Sequence, residues 1–447
     1  MQASIEHFEG EKELPQIASK NDLRVDCLIV GGGMVGMSLG LALSASGISC
    51  AIIEAEDAAS QKTDQFDSRS SAIAYGSRLF LEALDIWPNL ADHAQPILDI
   101  RVSDGSWRAQ GGTFAHVHYD YRDLNKAQGQ EDQPPFGHIV ENRIIRGALL
   151  SRMEKQSHLH HLAPARLANL EMQPGHVIGH LADGRRVEAH LAIGADGKNS
   201  LVRQNAGIRV NEFDYKQTAI SCTIQHEYPH HHVAHERFLP SGPFAVLPMT
   251  DICTPKGETV HRSSIVWVDD PQLVPMLMQL EGEAFGIEIV RRFGASLGKI
   301  LPLGKRFSFP LKLSLAQDYI RPRIALAGDA AHAIHPIAGQ GYNLGIRDAA
   351  ALADIVLDAK RLGLDPGNIM VLEEYGKKRL ADNLLLTAIT DGLNRLFSND
   401  IAPIRLARDL GFYLFNRTPP LKRLAMRHAM GVESLLSGPL PRLMRPK

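Results

Sequence analysis

The segment VDCLIVGGGMVGMSLGLALSAS, residues 25–46, decides the fold because it joins an apolar run, a glycine-rich turn and a second apolar run. Residues 25–30 predict a buried β-strand, and residues 37–46 predict an apolar helix. The wider run of residues 27–53 has no charged residue and is long enough to span a bilayer. Because the glycines interrupt this run after a short strand, we favour strand, turn, helix and strand over a membrane span.

Glycines stand at GxGxxG spacing in this turn, at Gly31, Gly33 and Gly36. In a strand–turn–helix unit the first permits a tight turn, the second lets the backbone approach a pyrophosphate, and the third allows close packing. Residues 48–53 predict the next strand, which ends at Glu54. An acid there accepts hydrogen bonds from ribose hydroxyls and repels a 2′-phosphate. The segment predicts a site for FAD or NAD rather than NADP, and an ordinary βαβ turn is the alternative.

Two later strands also end in polar motifs. Residues 191–194 predict a strand before Asp196-Gly197, although this pair is also common turn chemistry. Residues 324–328 predict another strand before Asp329, which either accepts hydrogen bonds from sugar-like hydroxyls or caps a helix. The segment PIAGQGYN, residues 336–343, then leads into a predicted helix whose N-terminal dipole suits the negative charge of a reduced flavin.

Length and composition favour small-molecule chemistry. A chain of 447 residues is long enough for two domains or for one domain with a large insertion. The net charge of −2 argues against a nucleic-acid partner. The four cysteines form no CxxC pair, so we expect neither a disulfide framework nor a zinc site. The acidic first 24 residues do not fit a signal or transit peptide, and we expect a cytoplasmic protein.

Three segments together resemble the fingerprints of the para-hydroxybenzoate hydroxylase class of flavoprotein monooxygenases. They are the Gly31 loop, GADGKNS at residues 194–200 with Arg203, and Gly328-Asp329. The resemblance implies that Asp329 holds the ribityl chain of FAD, that residues 339–343 line the isoalloxazine, and that Asp196-Gly197 serves the pyrophosphate region and NAD(P)H. The expected FAD-binding residues are Gly31, Gly33, Gly36, Glu54, Arg69, Asn142, Asp196, Gly328, Asp329, Gly339, Gln340, Gly341 and Asn343.

Other stretches are similar to the ubiquinone-biosynthesis hydroxylases within that class. They are DSRSSA at 67–72 with Ser77, ENR at 141–143, YKQ at 215–217, and TDGL at 390–393 with RLF at 395–397. The resemblance spans residues 25–431 and departs in the N-terminal extension and in a polar insert at 119–135. It implies that Arg69 lies beside the flavin, with a solvated or salt-bridged loop arginine as the alternative. It also implies that residues 142–146 open a helix beside the cofactor.

The resemblance implies an α/β fold with a Rossmann-type, glutathione-reductase-like FAD-binding domain, an inserted and mainly β-sheet substrate domain, and a C-terminal helical segment. We assign residues 1–24 to an extension and residues 396–447 to the helical segment. The FAD-binding domain is expected to be discontinuous, over residues 25–100, 140–205 and 318–395. The substrate domain takes residues 101–139 and 206–317.

The same resemblance implies a monooxygenase that hydroxylates the ring of a polyprenylated phenol in ubiquinone biosynthesis through a C4a-hydroperoxyflavin, with NAD(P)H and O2 as co-substrates. Because the flavin carries the chemistry, we expect no side-chain acid or base and no metal. Pro336, Gly339 and Gly341 are expected to form the flavin-side wall of a dry pocket. Two alternatives stay open: a non-catalytic subunit of a quinone-synthesis assembly, and a flavoenzyme acting on another aromatic or prenyl substrate. The GWxWxIP motif of halogenases is absent from the sequence.

Alternating stretches at residues 219–225, 243–249 and 263–268 predict strands of a large sheet that forms the substrate-side wall. Phe244, Leu247 and Trp267 lie on these strands. One interpretation places these three residues in the pocket wall. The other, which we favour for each of them, is core packing.

Two histidine groups and the basic C-terminal end allow more than one interpretation. His230-His231-His232 with His235 predicts a polar hairpin loop rather than a metal site, because adjacent residues of an extended chain point in opposite directions. His332 and His335 flank the flavin loop and act there as a base or as structural hydrogen-bonding groups. Residues 401–447 carry nine Lys/Arg against two Asp/Glu. This end either rests on anionic lipid at the cytoplasmic face of the inner membrane or packs on the flavin domain.

Overall fold

A computed structural model of the chain describes residues 22–61, 66–105, 116–124, 133–397, 411, 414–433 and 439–445. The strands are β1 (Asp22–Val30), β2 (Cys50–Ile53), β3 (Ser70–Ala74), β4 (Gln95–Ile97), β5 (Asp99–Asp104), β6 (His116–Asp120), β7 (Gly137–Glu141), β8 (Leu159–Leu162), β9 (Leu167–Met172), β10 (Val177–Leu181), β11 (Arg186–Gly194), β12 (Val210–His226), β13 (Val233–Leu239), β14 (Gly242–Cys253), β15 (Thr259–Asp269), β16 (Ile300–Ala316), β17 (Ile320–Arg321), β18 (Ile324–Leu326) and β19 (His332–Ala333). The helices are α1 (Met34–Ser44), α2 (Ala58–Gln61), α3 (Tyr75–Ala83), α4 (Asn142–Met153), α5 (Leu201–Asn205), α6 (Val274–Gln279), α7 (Gly282–Phe293), α8 (Gly341–Arg361), α9 (Ile369–Phe397) and α10 (Pro419–Ala429).

The apolar run that opens the chain folds as the predicted strand, turn, helix and strand. Strand β1 leads into α1, which begins at Met34, earlier than predicted, because Gly33 caps the helix and the first turn follows it directly. Nearly every residue of α1 is buried, since the helix lies between the sheet and α8. In the described part of the chain, no helix is long and apolar enough to cross a membrane.

The first sheet places its parallel strand ends at one edge. Its order is β17-β18-β11-β1-β2-β8, with β10 and β9 added beyond β11. Val30 pairs with both Ile53 and Gly194, and Gly194 pairs with Leu326. Because these four strands are parallel, the segments that follow them meet at the same edge of the sheet.

The second sheet also has eight strands, and its two faces are unlike. Its order is β19-β16-β12-β15-β14-β13-β5-β6, and it is antiparallel except between β13 and β5. Phe244 and Trp267 are fully buried on one face, in a cluster with Phe285 and Ile289 of α7. The opposite face turns towards the third sheet, β3-β7-β4, since Met249 of β14 packs with Ile139 of β7.

Several sequence-based boundaries change in the structure. Residues 22–24, placed in the N-terminal extension, belong to β1, because they pair with residues 186–188 of β11. Strand β19 joins the second sheet although its residues were placed in the FAD-binding domain. Residues 1–21, residues 125–132 of the polar insert, and residues 401–410, 412–413, 434–438 and 446–447 of the basic C-terminal end lie outside the described residues. The division into domains stays a prediction.

Candidate cofactor and substrate site

The glycine loop after β1 has the backbone geometry that its sequence predicts. Gly31 has a φ of +106°, and a Cβ there would lie 2.3 Å from the Ala195 carbonyl oxygen. A Cβ on Gly36 would lie 1.9 Å from the Gly31 carbonyl oxygen. By contrast, nothing lies within 4 Å of a Cβ built on Gly33, at the N-terminus of α1. Two glycines are therefore required by the fold, while the third leaves open the place where a helix N-terminus attracts an anion.

Glu54 lies at the end of β2, beside this loop. Its Oε2 accepts a hydrogen bond from the Gly32 N–H at 2.6 Å, and its Oε1 accepts one from the Glu56 N–H at 2.8 Å. The carboxylate is thereby fixed at the strand edge. Each oxygen keeps a further lone pair for a hydroxyl group, as the sequence interpretation requires.

The Asp196 loop combines a turn with a helix cap. Gly197 has a φ of +77°, and Asp196 Oδ2 accepts hydrogen bonds from the N–H groups of Leu201 and Val202 at 2.7 and 3.2 Å. Asp196 Oδ1 is buried and has no hydrogen-bond partner in the described part of the chain. An unsatisfied buried oxygen is costly. A ligand with a donor group fits beside it.

Arg203 joins the second and third motifs. Its buried guanidinium donates to the carbonyl oxygens of Lys198, at 2.7 Å, and Ala330, at 2.8 Å. The Lys198 loop and the loop after β18 are therefore held in one arrangement. The structure gives Arg203 a positioning role that the motif alone does not reveal.

Asp348 of α8 organises the third motif, and the sequence interpretation missed it. Its Oδ2 accepts hydrogen bonds from the Gly328 N–H at 2.9 Å and from His332 Nε2 at 2.5 Å, and its Oδ1 accepts one from Arg379 Nε at 2.7 Å. Although burial alone raises the pKa of Asp348, His332 and Arg379 hold it at about 2. The charged pair Arg347-Asp348 within the otherwise apolar run of residues 344–353 was the available signal. His332 thus has the structural role named as one alternative for it.

Asp329 projects from the short turn at Gly328–Ala330. The residue that caps this turn is Ala327, and no side chain forms a cap hydrogen bond, so the helix-cap interpretation of Asp329 is wrong. The side chain is exposed, yet burial raises its pKa against the opposing charges of His332 and Lys198. Both observations fit a carboxylate that solvent reaches but that protein largely surrounds. Its oxygens are available to hydroxyl groups.

The loop at residues 336–343 is built around glycine. Gly339 has a φ of +60°, and a Cβ there would lie 3.0 Å from the Ala72 side chain. Gly341 begins α8, and nothing lies within 4 Å of a Cβ built on it, which leaves the helix N-terminus open. Pro336 caps the turn that contains Ile337 and Gly339, and Gln340 caps α8. This open surface can accept a flat ligand.

Asn343 is brought into the same loop but is occupied by protein. Its Nδ2 donates to the carbonyl oxygens of Ala72 and Gly339 at 2.9 and 3.2 Å, and its Oδ1 accepts from the Ala74 N–H at 2.9 Å. The side chain is buried. We therefore expect Asn343 to shape the loop against β3 rather than to supply its amide to a ligand.

Arg69 and Asn142 lie at the start of β3 and α4. Arg69 forms a two-point ion pair with Asp67, at 2.6 and 2.7 Å, and its guanidinium lies 4.8 Å from the centre of the Phe307 ring. The salt-bridged alternative is therefore observed, and a place beside the flavin stays a prediction. Asn142 Oδ1 accepts from the Ser71 hydroxyl at 2.7 Å, which ties α4 to β3.

The proposed substrate-side residues separate in the structure. Phe244 and Trp267 point to the helix-covered face and are core residues, so the pocket interpretation is wrong for both. Leu247, by contrast, is only partly buried and packs with Met249 and Ala234 on the opposite face. The alternation predicted the strands but could not tell which face the helices cover.

The histidines after β12 form a turn, although not a hairpin. His231 and His232 have φ angles of 52° and 60°, and the turn joins β12 to β13, which do not pair. His230 Nε2 bonds to the Met249 carbonyl oxygen at 2.9 Å, and His232 Nδ1 to Gln95 at 2.6 Å. Within the described ranges, no group of His, Cys, Asp or Glu residues has the arrangement to hold a metal ion.

A separate groove of about 500 Å³ lies between α8, α9 and residues 439–445. It is lined by residues such as Ala351, Ile355 and Met370, and none of the predicted cofactor residues borders it. We place the functional site at the strand ends of the first sheet instead, because the polar groups and open glycines converge there.

Comparisons with known proteins identify the family of the chain. A family model described as an FAD binding domain matches residues 24–380. The chain is 47% identical over 429 residues to a ubiquinone hydroxylase, UbiL, of Rhodospirillum rubrum, covering 96% of this chain and 94% of that protein. It is 35% identical over 406 residues to the 3-demethoxyubiquinol 3-hydroxylase of Escherichia coli, covering 90% of this chain and 98% of that protein. The crystal structure of a p-nitrophenol 4-monooxygenase, PnpA, from Pseudomonas putida has a TM-score of 0.73 at 18% identity and covers 92% of this chain and 99% of its own. These findings confirm the predicted fold class.

Proposed function

This chain belongs to the FAD-dependent hydroxylases of ubiquinone biosynthesis, and from that premise we propose that it hydroxylates the aromatic ring of a polyprenylated phenol. The cofactor is FAD, and the enzyme is a flavoprotein monooxygenase of the type that uses NAD(P)H as electron donor. The substrate class is supported by two relatives, one named ubiquinone hydroxylase and the other 3-demethoxyubiquinol 3-hydroxylase.

One structural observation supports the cofactor part of the proposal: three loops with open or unsatisfied groups converge at one sheet edge. Gly33 offers an open helix N-terminus, Asp196 a buried oxygen without a partner in the described residues, and Asp329 an exposed carboxylate. This set matches the needs of a dinucleotide, namely an anion site and acceptors for sugar hydroxyls. The residues present therefore fit FAD.

We assign these residues separate roles in holding the cofactor. The Gly31–Gly36 loop would bind the pyrophosphate, Glu54 the adenosine ribose, and Asp329 the ribityl hydroxyls. Gly339 and Gly341 would lie against the ring system, with the N-terminus of α8 directed at it. When bound and reduced by NAD(P)H, FAD would supply the activation of O2 for hydroxylation of the ring.

The protein contributes orientation and the exclusion of water. The wall opposite the flavin loop is formed by the open face of the second sheet, where Leu247 and Ala245 are apolar. A dry pocket favours transfer of oxygen to the substrate over its loss to water. Contact with other quinone-synthesis proteins and with a membrane surface belongs to this proposal, because a polyprenyl tail partitions into lipid.

The decisive experiment is mass spectrometry of lipid extracts from cells without the gene, compared with cells given the wild-type gene or the Asp329→Ala variant. We expect a prenylated intermediate that lacks one ring oxygen to accumulate without the gene and to disappear with wild type. An unchanged quinone pool with no such intermediate would reject the substrate class. A purified protein that binds no FAD would favour the alternative of a non-catalytic subunit.

A further inference from the structure

A single row of paired residues crosses the open face of the second sheet. Ser221 pairs with both Phe307 and Val266, Val266 pairs with Ala245, and Ala245 pairs with Glu236. Directly paired residues of neighbouring strands project from the same face of a sheet. Glu236 therefore lies on the same face as Phe307, at the other end of the row.

Both ends of this face are bordered by the loops of the cofactor site. At one end the Phe307 ring lies beneath the Arg69 guanidinium. At the other end Phe238, two residues after Glu236 and so on the same face, packs with Ile337 of the flavin loop and stacks on Phe397 of α9, with ring centres 4.3 Å apart. The face between them looks towards the predicted position of the flavin ring.

Three residues at the centre of the face are only partly covered by protein, whereas Ser221 and Ala245 in the same row are buried. Glu236, Val266 and Leu247 all keep partial exposure although they lie on interior strands of the sheet. On the opposite face, Phe244 of β14 and Trp267 of β15 are fully buried, whereas His235 and Arg237 of β13 keep partial exposure. The difference indicates a recess with apolar walls, in which Glu236 is an ionisable group.

Glu236 has neither an ion-pair partner nor a hydrogen-bond partner among the residues that the structure describes. Burial alone raises the pKa of its carboxyl to about 8. The residues paired with it, Val102 and Ala245, are apolar. The charged or titratable groups on this face, or on elements packed against it, include Arg69, Asp104, Tyr119, Glu141, Tyr215, Arg262, His335, Asp391 and Arg395. A carboxyl that the fold leaves unsatisfied in an apolar recess is a candidate for a functional group.

We propose that Glu236 binds the ring hydroxyl of the substrate and, as a carboxylate, accepts its proton. The O–H bond of the phenol breaks, the proton joins a carboxylate oxygen, and the electron pair stays on the ring oxygen. The ring becomes richer in electrons and is a better acceptor of an electrophilic oxygen atom. This inference rests on the proposed function, and it replaces the expectation that no side chain acts as an acid or base.

The acidity of Glu236 suits this role. A base works best when its pKa lies near the working pH, and a carboxyl with a pKa of about 8 has both forms present around neutrality. An ordinary glutamate, with a pKa of about 4.3, is a far weaker base towards a phenol, whose own pKa is about 10. Reaction with the phenol should therefore increase as the pH rises towards 8.

The test compares Glu236→Gln with Glu212→Gln in the FAD-loaded enzyme. Glu212 is exposed on β12 of the same sheet and provides the same chemical change away from the recess. The probe is a phenol with a short prenyl chain, and product is measured from pH 6 to pH 9. We expect Glu236→Gln to keep its FAD, to lower kcat/KM by about 100-fold and to lose the rise towards pH 8. Glu212→Gln should retain the wild-type profile.

The outcomes separate this inference from the proposed function. If wild type hydroxylates the probe and Glu236→Gln does so with the same kcat/KM and pH profile, the role of Glu236 is rejected and the proposed function stands. If kcat/KM falls but the profile keeps its shape, Glu236 is structural and the inference is also rejected. If wild type forms no product from the prenylated phenol, the proposed function fails and the inference fails with it.

Discussion

The strand-end edge of the first sheet and the open face of the second sheet hold their carboxylates in opposite ways. At the edge, Asp348 accepts three hydrogen bonds, and its pKa is lowered to about 2. On the open face, Glu236 lacks a partner in the described residues, and burial raises its pKa to about 8. The Asp348 carboxylate is satisfied by protein groups, whereas the Glu236 carboxyl is left for a ligand. A buried acid with every bond satisfied supports the fold, and one left unsatisfied indicates where a substrate binds.

We expect the largest effect from Asp348→Ala, which removes the carboxylate that protein groups satisfy. The change leaves Arg379 and the Gly328 N–H without their buried acceptor, and breaking a buried charge pair costs about 3–5 kcal/mol of unfolding free energy. Chemical denaturation measures this loss. Asp358→Ala is the matched control on the same helix, because Asp358 is exposed and its ion pairs should contribute about 1 kcal/mol or less.

The pH dependence gives a second measure of Asp348. Its folded pKa of about 2 lies below the ordinary value of 3.8, so its stabilising contribution is complete above pH 3.8 and is lost as the pH falls towards 2. Wild type should lose stability in that window more steeply than Asp348→Ala. Equal slopes, or equal losses for the two alanine variants at neutral pH, would show that the Asp348 network does not support the edge.

Gly36→Ala should have the next largest effect, because the edge is built from backbone contacts as close as van der Waals radii allow. The added methyl would lie 1.9 Å from the Gly31 carbonyl oxygen, and forcing such a contact costs about 3 kcal/mol. Thermal unfolding of the FAD-free protein measures the loss. Gly33→Ala is the control, since its methyl meets no protein atom within 4 Å. It should preserve FAD-free stability and lower FAD affinity; a destabilised Gly33→Ala would contradict the separation of the two roles.

Asp329 lies at the edge of the first sheet but, like Glu236, has no partner in the described chain. The variant Asp329→Ala tests whether this carboxylate also serves a ligand. We expect the fold to persist while FAD affinity falls about tenfold or more, because a hydrogen bond to a charged group contributes about 1.5–3 kcal/mol. Flavin fluorescence during titration of the FAD-free protein measures the affinity. Asp318→Ala, at an exposed acid paired with Arg321, should leave it unchanged. Unaltered flavin binding in Asp329→Ala would remove the assigned role.

The sequence predicted the edge well because a dinucleotide is recognised mainly by backbone, and backbone geometry requires glycine at fixed positions. Gly31 and Gly36 show this directly through the contacts that a Cβ would make. The open face could not be predicted in the same way. Alternation along β14 and β15 separates two faces but does not reveal that α7 covers one of them. Phe244 and Trp267 were therefore candidates alongside Leu247, and the alternation did not single out Glu236.

The smallest predicted effect concerns the free energy of unfolding without substrate. Comparing Glu236→Gln with wild type tests whether an ionised Glu236 destabilises the folded protein. The folded pKa of about 8 exceeds the ordinary value of 4.5, so ionisation destabilises the folded protein increasingly as the pH rises from 4.5 towards 8. Because the side chain is partly exposed, we expect Glu236→Gln to gain only about 1 kcal/mol at pH 8.5 and nothing at pH 4.5. Denaturation at the two pH values, with Glu212→Gln as control, measures the difference. A gain of equal size at both would show that Glu236 is solvated like any surface acid, and the contrast with Asp348 would then rest on geometry alone.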